Sequence, residues 1–105
     1  MPVDRDREVY QRDNFKCQYC DFDGSSFPAW EFLVIDHFKP RWNGGSDDPE
    51  NLITACIRCN QIKGVRKFRE LAAARASIQK TWAEMRTHWE MKVRPLVIEN
   101  RKKSN

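Results

Sequence analysis

Two cysteine pairs with the same internal gap constrain this chain more than any other feature. Cys17-Gln18-Tyr19-Cys20 and Cys56-Ile57-Arg58-Cys59 are each C-x2-C, and 35 residues lie between them. This is the spacing of a four-thiolate zinc site, in which two short turns supply two sulfurs each to one tetrahedral ion. Four thiolates leave no coordination position open, so a zinc ion held this way braces the fold and activates no substrate. The pattern uses all four cysteines of the chain and leaves none for a disulfide, which points to a reducing compartment. The 105 residues are expected to form a single domain over 1–105, with a core of about 12–64 and a C-terminal helical extension of about 65–105. A core that small needs a staple, and zinc supplies it.

With the zinc saturated, any chemistry must come from other residues. Leu33-Val34-Ile35-Asp36-His37 ends an apolar run on an acid and a histidine, and Asn60 directly follows the last cysteine. Between them, Phe38 to Asn51 is polar and punctuated by Pro40, Gly44, Gly45 and Pro49, which reads as one compact surface loop. Asp36, His37 and Asn60 are therefore the candidate reactive residues. Adjacent residues of a regular strand point to opposite faces, so the strand must end or bulge at Asp36-His37 if both are to line one pocket.

At these residues the chain resembles the HNH nucleases, and within them the subgroup that braces a ββα-metal core with four cysteines. The resemblance spans roughly Arg12 to Gly64. It rests on Arg12-Asp13, Cys17-Gln18-Tyr19-Cys20, Ile35-Asp36-His37, Gly44-Gly45-Ser46-Asp47-Asp48-Pro49-Glu50-Asn51-Leu52, Cys56-Ile57-Arg58-Cys59-Asn60 and Lys63-Gly64. It implies that His37 is the general base, that Asn51 braces the loop, and that Asp36 and Asn60 ligate a catalytic Mg2+ or Mn2+ separate from the zinc. The third letter of the name is Asn here, a variant that occurs in the four-cysteine subgroup. The implied activity is DNA phosphodiester hydrolysis to 5′-phosphate and 3′-hydroxyl ends. The alternative from another class is a zinc-braced nucleic-acid-binding module without catalysis.

The expected fold is α+β: a small ββα-metal core braced by the four-cysteine zinc site, a short N-terminal helix and a long C-terminal helix. The first helix is expected from Pro2 to Asp13 with Asp4 as N-cap. Trp30 to Ile35 is the first strand by its aromatic and β-branched content, and Leu52-Ile53-Thr54 is the second, antiparallel to it. Cys56 to Lys63 is the core helix, ending at Gly64. Phe68, Leu71, Ile78, Trp82, Met85 and Trp89 recur at helical spacing, so a continuous helix is expected from about Val65 to Arg94, with Pro95 as breaker and residues 101–105 as a frayed tail. Its apolar stripe needs cover from Val9 and Tyr10, from a fold-back of Leu96, Val97 and Ile98, or from a second copy of the chain.

Charge is unevenly placed. Residues 1–61 hold 7 Lys/Arg and 11 Asp/Glu, net −4, and residues 62–105 hold 12 and 4, net +8. A basic half beside a phosphodiesterase site suits DNA, because counterion release supplies most sequence-independent affinity. Lys39, Arg41, Lys63, Arg66, Lys67 and Arg69 are the candidate nucleic-acid contacts, and a targeting partner is a further expectation. No apolar run reaches the ~18 residues of a membrane span and no signal-peptide pattern follows Met1, so the expected compartment is the cytoplasm.

Overall fold

Leu33–His37 (β1) and Leu52–Cys56 (β2) pair antiparallel as a two-stranded sheet, with Leu33 opposite Cys56 and His37 opposite Leu52. The structure, a computed structural model, describes residues 2–104, with side chains from Arg5 onward. β2 passes directly into a helix, and Cys56 makes the junction. Its backbone is extended, and its sulfur accepts the Cys59 N–H at 3.4 Å, capping the helix that follows. Before that core helix come α1, Pro2–Arg12, and a single-turn α2, Phe27–Trp30; the core helix itself is α3, Ile57–Lys63. Gly64 terminates α3 at φ 58°, a left-handed conformation that glycine adopts without steric cost. Beyond it run α4, Leu71–His88, a π turn at Trp89–Val93, and α5, Arg94–Lys103. The architecture is thus the expected α+β one: a ββα core, a short N-terminal helix and a long C-terminal helical rod, braced by a four-cysteine cluster.

Several boundaries differ from those read in the sequence, each for a local reason. Trp30 is helical and not the start of a strand, because Ser26 accepts the Ala29 N–H through its hydroxyl and Pro28 lies in the first turn, where its missing N–H costs nothing. α1 begins at Pro2, so Asp4 lies within its first turn and does not precede it. The C-terminal helix starts at Leu71, six residues later than expected, after an irregular segment over 65–70. Pro95 does not break the rod. The chain widens into the π turn just before it, which places the proline in the opening turn of α5. Residues 101–103 are helical, and Asn105 lies outside the described residues.

Cys17, Tyr19, Ala55, Cys56, Cys59, Ala74 and Ile78 form the buried centre, so the core is built around the cysteine cluster and closed by the first half of α4. The contacts of α4 with the first knuckle are polar as well. Arg75 donates to the Gln18 carbonyl at 2.6 Å and to the Asp21 carboxylate, and Gln79 donates to the Tyr19 carbonyl at 2.9 Å. On the opposite side, Arg12 donates to the carbonyls of Pro49 and Leu52, and Asp13 accepts the Thr54 N–H. These bonds fasten α1 to the start of β2. Among the described residues no helix is long and apolar enough to cross a membrane.

Candidate active site and zinc cluster

The ligand atoms of Cys17, Cys20, Cys56 and Cys59 all lie within 4.8 Å of one another, and Cys20 Sγ is 3.8 Å from Cys56 Sγ. A tetrahedron with zinc–sulfur bonds of about 2.3 Å has edges of about 3.8 Å. The cluster therefore fits one zinc ion. Each knuckle turns a backbone amide onto its first sulfur: the Tyr19 N–H on Cys17 and the Cys59 N–H on Cys56, both at 3.4 Å. Arg58 also donates to Cys20 Sγ at 3.6 Å. Such donors offset thiolate charge in a site where three of the four cysteines are buried and Cys20 is half-buried.

Asp36 and His37 end β1, and the ladder is in register through both, so the strand stops at the pair without a bulge. Their side chains diverge as strand geometry demands. Asp36 turns inward and is 5% exposed. Its Oδ2 accepts from the Tyr19 hydroxyl and lies 3.4 Å from the Lys63 ammonium. Burial pushes the Asp36 carboxyl above its ordinary pKa, and the contacts with Tyr19 and Lys63 oppose that rise. His37 turns outward to the loop, where its Nε2 meets Asp47 Oδ1 at 2.7 Å. Arg41 donates twice to the same Asp47 oxygen, at 3.0 and 3.2 Å. Its Nε also approaches His37 Nε2 at 3.2 Å, but the Asp47 carboxylate is the stronger acceptor. The tautomer in which Nε2 donates to Asp47 carries no proton on Nδ1. The His37 and Arg41 contacts hold the Asp47 carboxyl below the usual carboxylate range.

Asn51 clamps the loop from within. Its Oδ1 accepts the Lys39 N–H at 2.8 Å, and its Nδ2 donates to the carbonyls of Lys39 and Ser46 at 3.0 and 2.8 Å. The Phe38 N–H closes the loop on the Asn51 carbonyl. Gly45 is required here, since a Cβ at that position would overlap the Lys39 carbonyl. Asn60 lies in α3, and among the described residues nothing hydrogen-bonds its side-chain amide. Asp36, His37 and Asn60 together line one open cleft of about 320 Å3, completed by Pro40, Arg41, Trp42, Gly64 and Val65. Asn51 stands behind the cleft wall.

The candidate nucleic-acid contacts divide. Lys39, Arg41, Lys67 and Arg69 are exposed, and of these Arg41 lines the cleft, along with Gly64 and Val65, whose carbonyl accepts from Trp42 Nε1. Lys63 is 1% exposed and donates to the His37 carbonyl at 3.2 Å, so it is an internal cation and faces no surface ligand, a correction to the sequence reading. Arg66 is committed to the carbonyls of Ile62 and Lys63 at the end of α3 and to Ser77. Three residues of evident structural weight carry no such signal in the sequence. There, Tyr19 is merely a spacer between ligands, Asp47 one acid of an acidic loop, and Gln79 a polar helix residue.

Residues 17–66 match the family model described as HNH endonuclease. A curated relative, the CRISPR-associated endonuclease Cas9 of Corynebacterium diphtheriae, is 38% identical over 84 residues, which is 75% of this chain. The chain spans 7% of that protein's length. No solved structure matches. Residues 17–66, with their ββα core, are thus similar to HNH endonucleases and carry a four-cysteine cluster suited to a metal ion.

Proposed function

We propose that the chain is a metal-dependent DNA endonuclease that hydrolyses phosphodiester bonds to 5′-phosphate and 3′-hydroxyl ends. The observation that carries the reading is the convergence of Asp36, His37 and Asn60 on one cleft between the end of β1 and α3. Asp36 and Asn60 offer two oxygen donors, a set suited to a hard cation such as Mg2+ or Mn2+ that keeps several waters. When bound, such a cation supplies charge neutralisation at a non-bridging phosphate oxygen and at the leaving 3′ oxygen. His37 Nδ1 takes the proton of the attacking water, while the Nε2 contact with Asp47 holds the ring. Asn51 keeps the loop that carries Asp47 and Arg41 at a fixed distance from β1. Arg41 in the cleft, with the exposed Lys39, Lys67 and Arg69, meets the backbone phosphates in this reading.

The Arg58 guanidinium covers Trp82, but the apolar stripe beyond it has no intrachain cover among the described residues, and a second copy of the chain is its proposed partner. A four-thiolate cluster keeps its donors in a reducing compartment, and the cytoplasm is the proposed location.

The test is nicking of supercoiled plasmid by purified protein with Mg2+ or Mn2+. His37→Ala should keep fold and zinc and lose about 10²–10⁴-fold in rate. Cleavage at the wild-type rate by that variant would remove His37 as base, and no cleavage by the wild type would favour a non-catalytic binding module.

A further inference from the structure

The first zinc knuckle and the last residue of α3 direct donors at the same oxygen of Asp36. Tyr19 sits between the ligands Cys17 and Cys20, is fully buried, and donates its hydroxyl to Asp36 Oδ2. Its backbone is fixed on both sides, the N–H on Cys17 Sγ at 3.4 Å and the carbonyl on Gln79 Nε2 at 2.9 Å. Lys63 ends the helix that opens with the second knuckle. Its ammonium is held 3.4 Å from Asp36 Oδ2 and 3.2 Å from the His37 carbonyl. A buried ammonium and a buried phenol hydroxyl are costly unless paired, and here each is paired with the same carboxylate. Phenylalanine at position 19 would fill nearly the same space, so the hydroxyl matters for what it touches.

We propose that Tyr19 and Lys63 are positioning residues that hold Oδ2 of Asp36 and leave its other oxygen to a divalent cation in the cleft, so that closure of the zinc cluster orients the cation-binding carboxylate. This rests on the proposed cation site of Asp36 and Asn60. The zinc then does more than brace the fold. The first knuckle, through Tyr19, and the helix that begins at the second, through Lys63, set the position of a carboxylate that ligates a different metal. Lys63 also places a fixed positive charge beside that carboxylate, which weakens cation binding and keeps the ion exchangeable.

The test is a Mn2+ titration, read by electron paramagnetic resonance of free Mn2+, on the zinc-loaded full chain and its variants, with zinc content measured in parallel. Tyr19→Phe should retain one zinc per chain and an unchanged melting temperature yet bind Mn2+ about 10–100-fold more weakly, the usual effect of losing a group that orients a ligand. A purely structural Tyr19 would not move that affinity at constant melting temperature. Asp36→Asn serves as reference. If it loses Mn2+ while Tyr19→Phe binds like wild type, the positioning role is wrong and the cation site stands. If Asp36→Asn itself binds Mn2+ like wild type, the cation site is wrong and the inference falls with it. Should Tyr19→Phe lose zinc, Lys63→Arg lies outside both knuckles, keeps the charge and shifts the donor. It should weaken Mn2+ binding, and wild-type affinity in that variant would overturn the proposal.

Discussion

Asn51 shows how much one side chain can organise, since its amide makes all three of its bonds to the backbone of the loop between β1 and β2. Each such bond contributes about 0.5–1.5 kcal/mol net, so Asn51→Ala should loosen the loop by about 2–3 kcal/mol locally. Hydrogen exchange at the Lys39 amide should rise accordingly, with zinc content unchanged and nicking reduced. A second residue-scale effect depends on pH. The Arg75 guanidinium, bonded to Asp21, holds that carboxyl below its ordinary pKa. A carboxyl depressed on folding contributes stability above its unfolded pKa, near 3.9, and loses it as pH falls through the lower folded value. Asp21→Asn should therefore melt earlier than wild type at pH 7 and converge with it in strong acid, with the neutral-pH difference reduced by salt. The four-cysteine cluster was legible because two C-x2-C pairs have few other uses, whereas Asp36, His37, Asn51 and Asn60 were singled out with the help of a family resemblance. The roles of Tyr19, Lys63 and Asp47 were not legible, because a phenol between ligands, a lysine near a helix end and an acid in a loop reveal their partners only once the chain is folded.

Among the elements, the irregular 65–70 segment and α4 behave differently from one continuous helix. Lys67 and Arg69 are exposed in that segment, whereas Arg66 is spent on α3. Substituting Lys67 and Arg69 with alanine should weaken DNA binding alike for unrelated sequences and flatten the slope of log affinity against log salt by about 0.9 unit per lost phosphate contact. An unchanged slope would move the DNA contact to the loop. α4 is anchored by Ile78, which is fully buried, and Ile78→Ala should cost about 2–5 kcal/mol in denaturant unfolding. The apolar spacing from Leu71 onward announced α4 correctly. It overreached at Val65, where Gly64 has already turned the chain, and it stopped short at Pro95, where the π turn accommodates a residue that spacing rules treat as a stop. Trp30 misled for a related reason: aromatic content speaks for a strand, but Ser26 and Pro28 form a cap that outweighs it over four residues.

At the scale of the molecule, the zinc cluster is the hub from which the buried residues radiate. Structural zinc in small domains is worth about 10–16 kcal/mol of apparent binding energy, more than a typical domain's net stability of about 5–15 kcal/mol. Chelation should therefore abolish the cooperative melt, and elemental analysis should find one zinc per folded chain. The rod beyond Ile78 is less well served. Met85 is 47% exposed, Trp89 43% and Leu96 60%, and neither Val9, buried in the core, nor the helical tail covers them. Contiguous apolar stripes of this kind are seldom left to water in monomers, so light scattering at micromolar concentration should find a dimer that Trp89→Glu dissociates. A monomer with an unaltered Trp89→Glu melt would refute pairing. The docking of Arg75 and Gln79 on the first knuckle has a mechanical corollary. The rod is a lever whose fulcrum is the metal cluster, with a free arm of about 38 Å from Ile78 to Lys103 at 1.5 Å per residue. A tilt that swings the far tip by several ångströms displaces the fulcrum end by well under one. Whatever grips the tip can thus apply torque to the knuckle through large, easily seen movements, while the knuckle itself shifts only slightly.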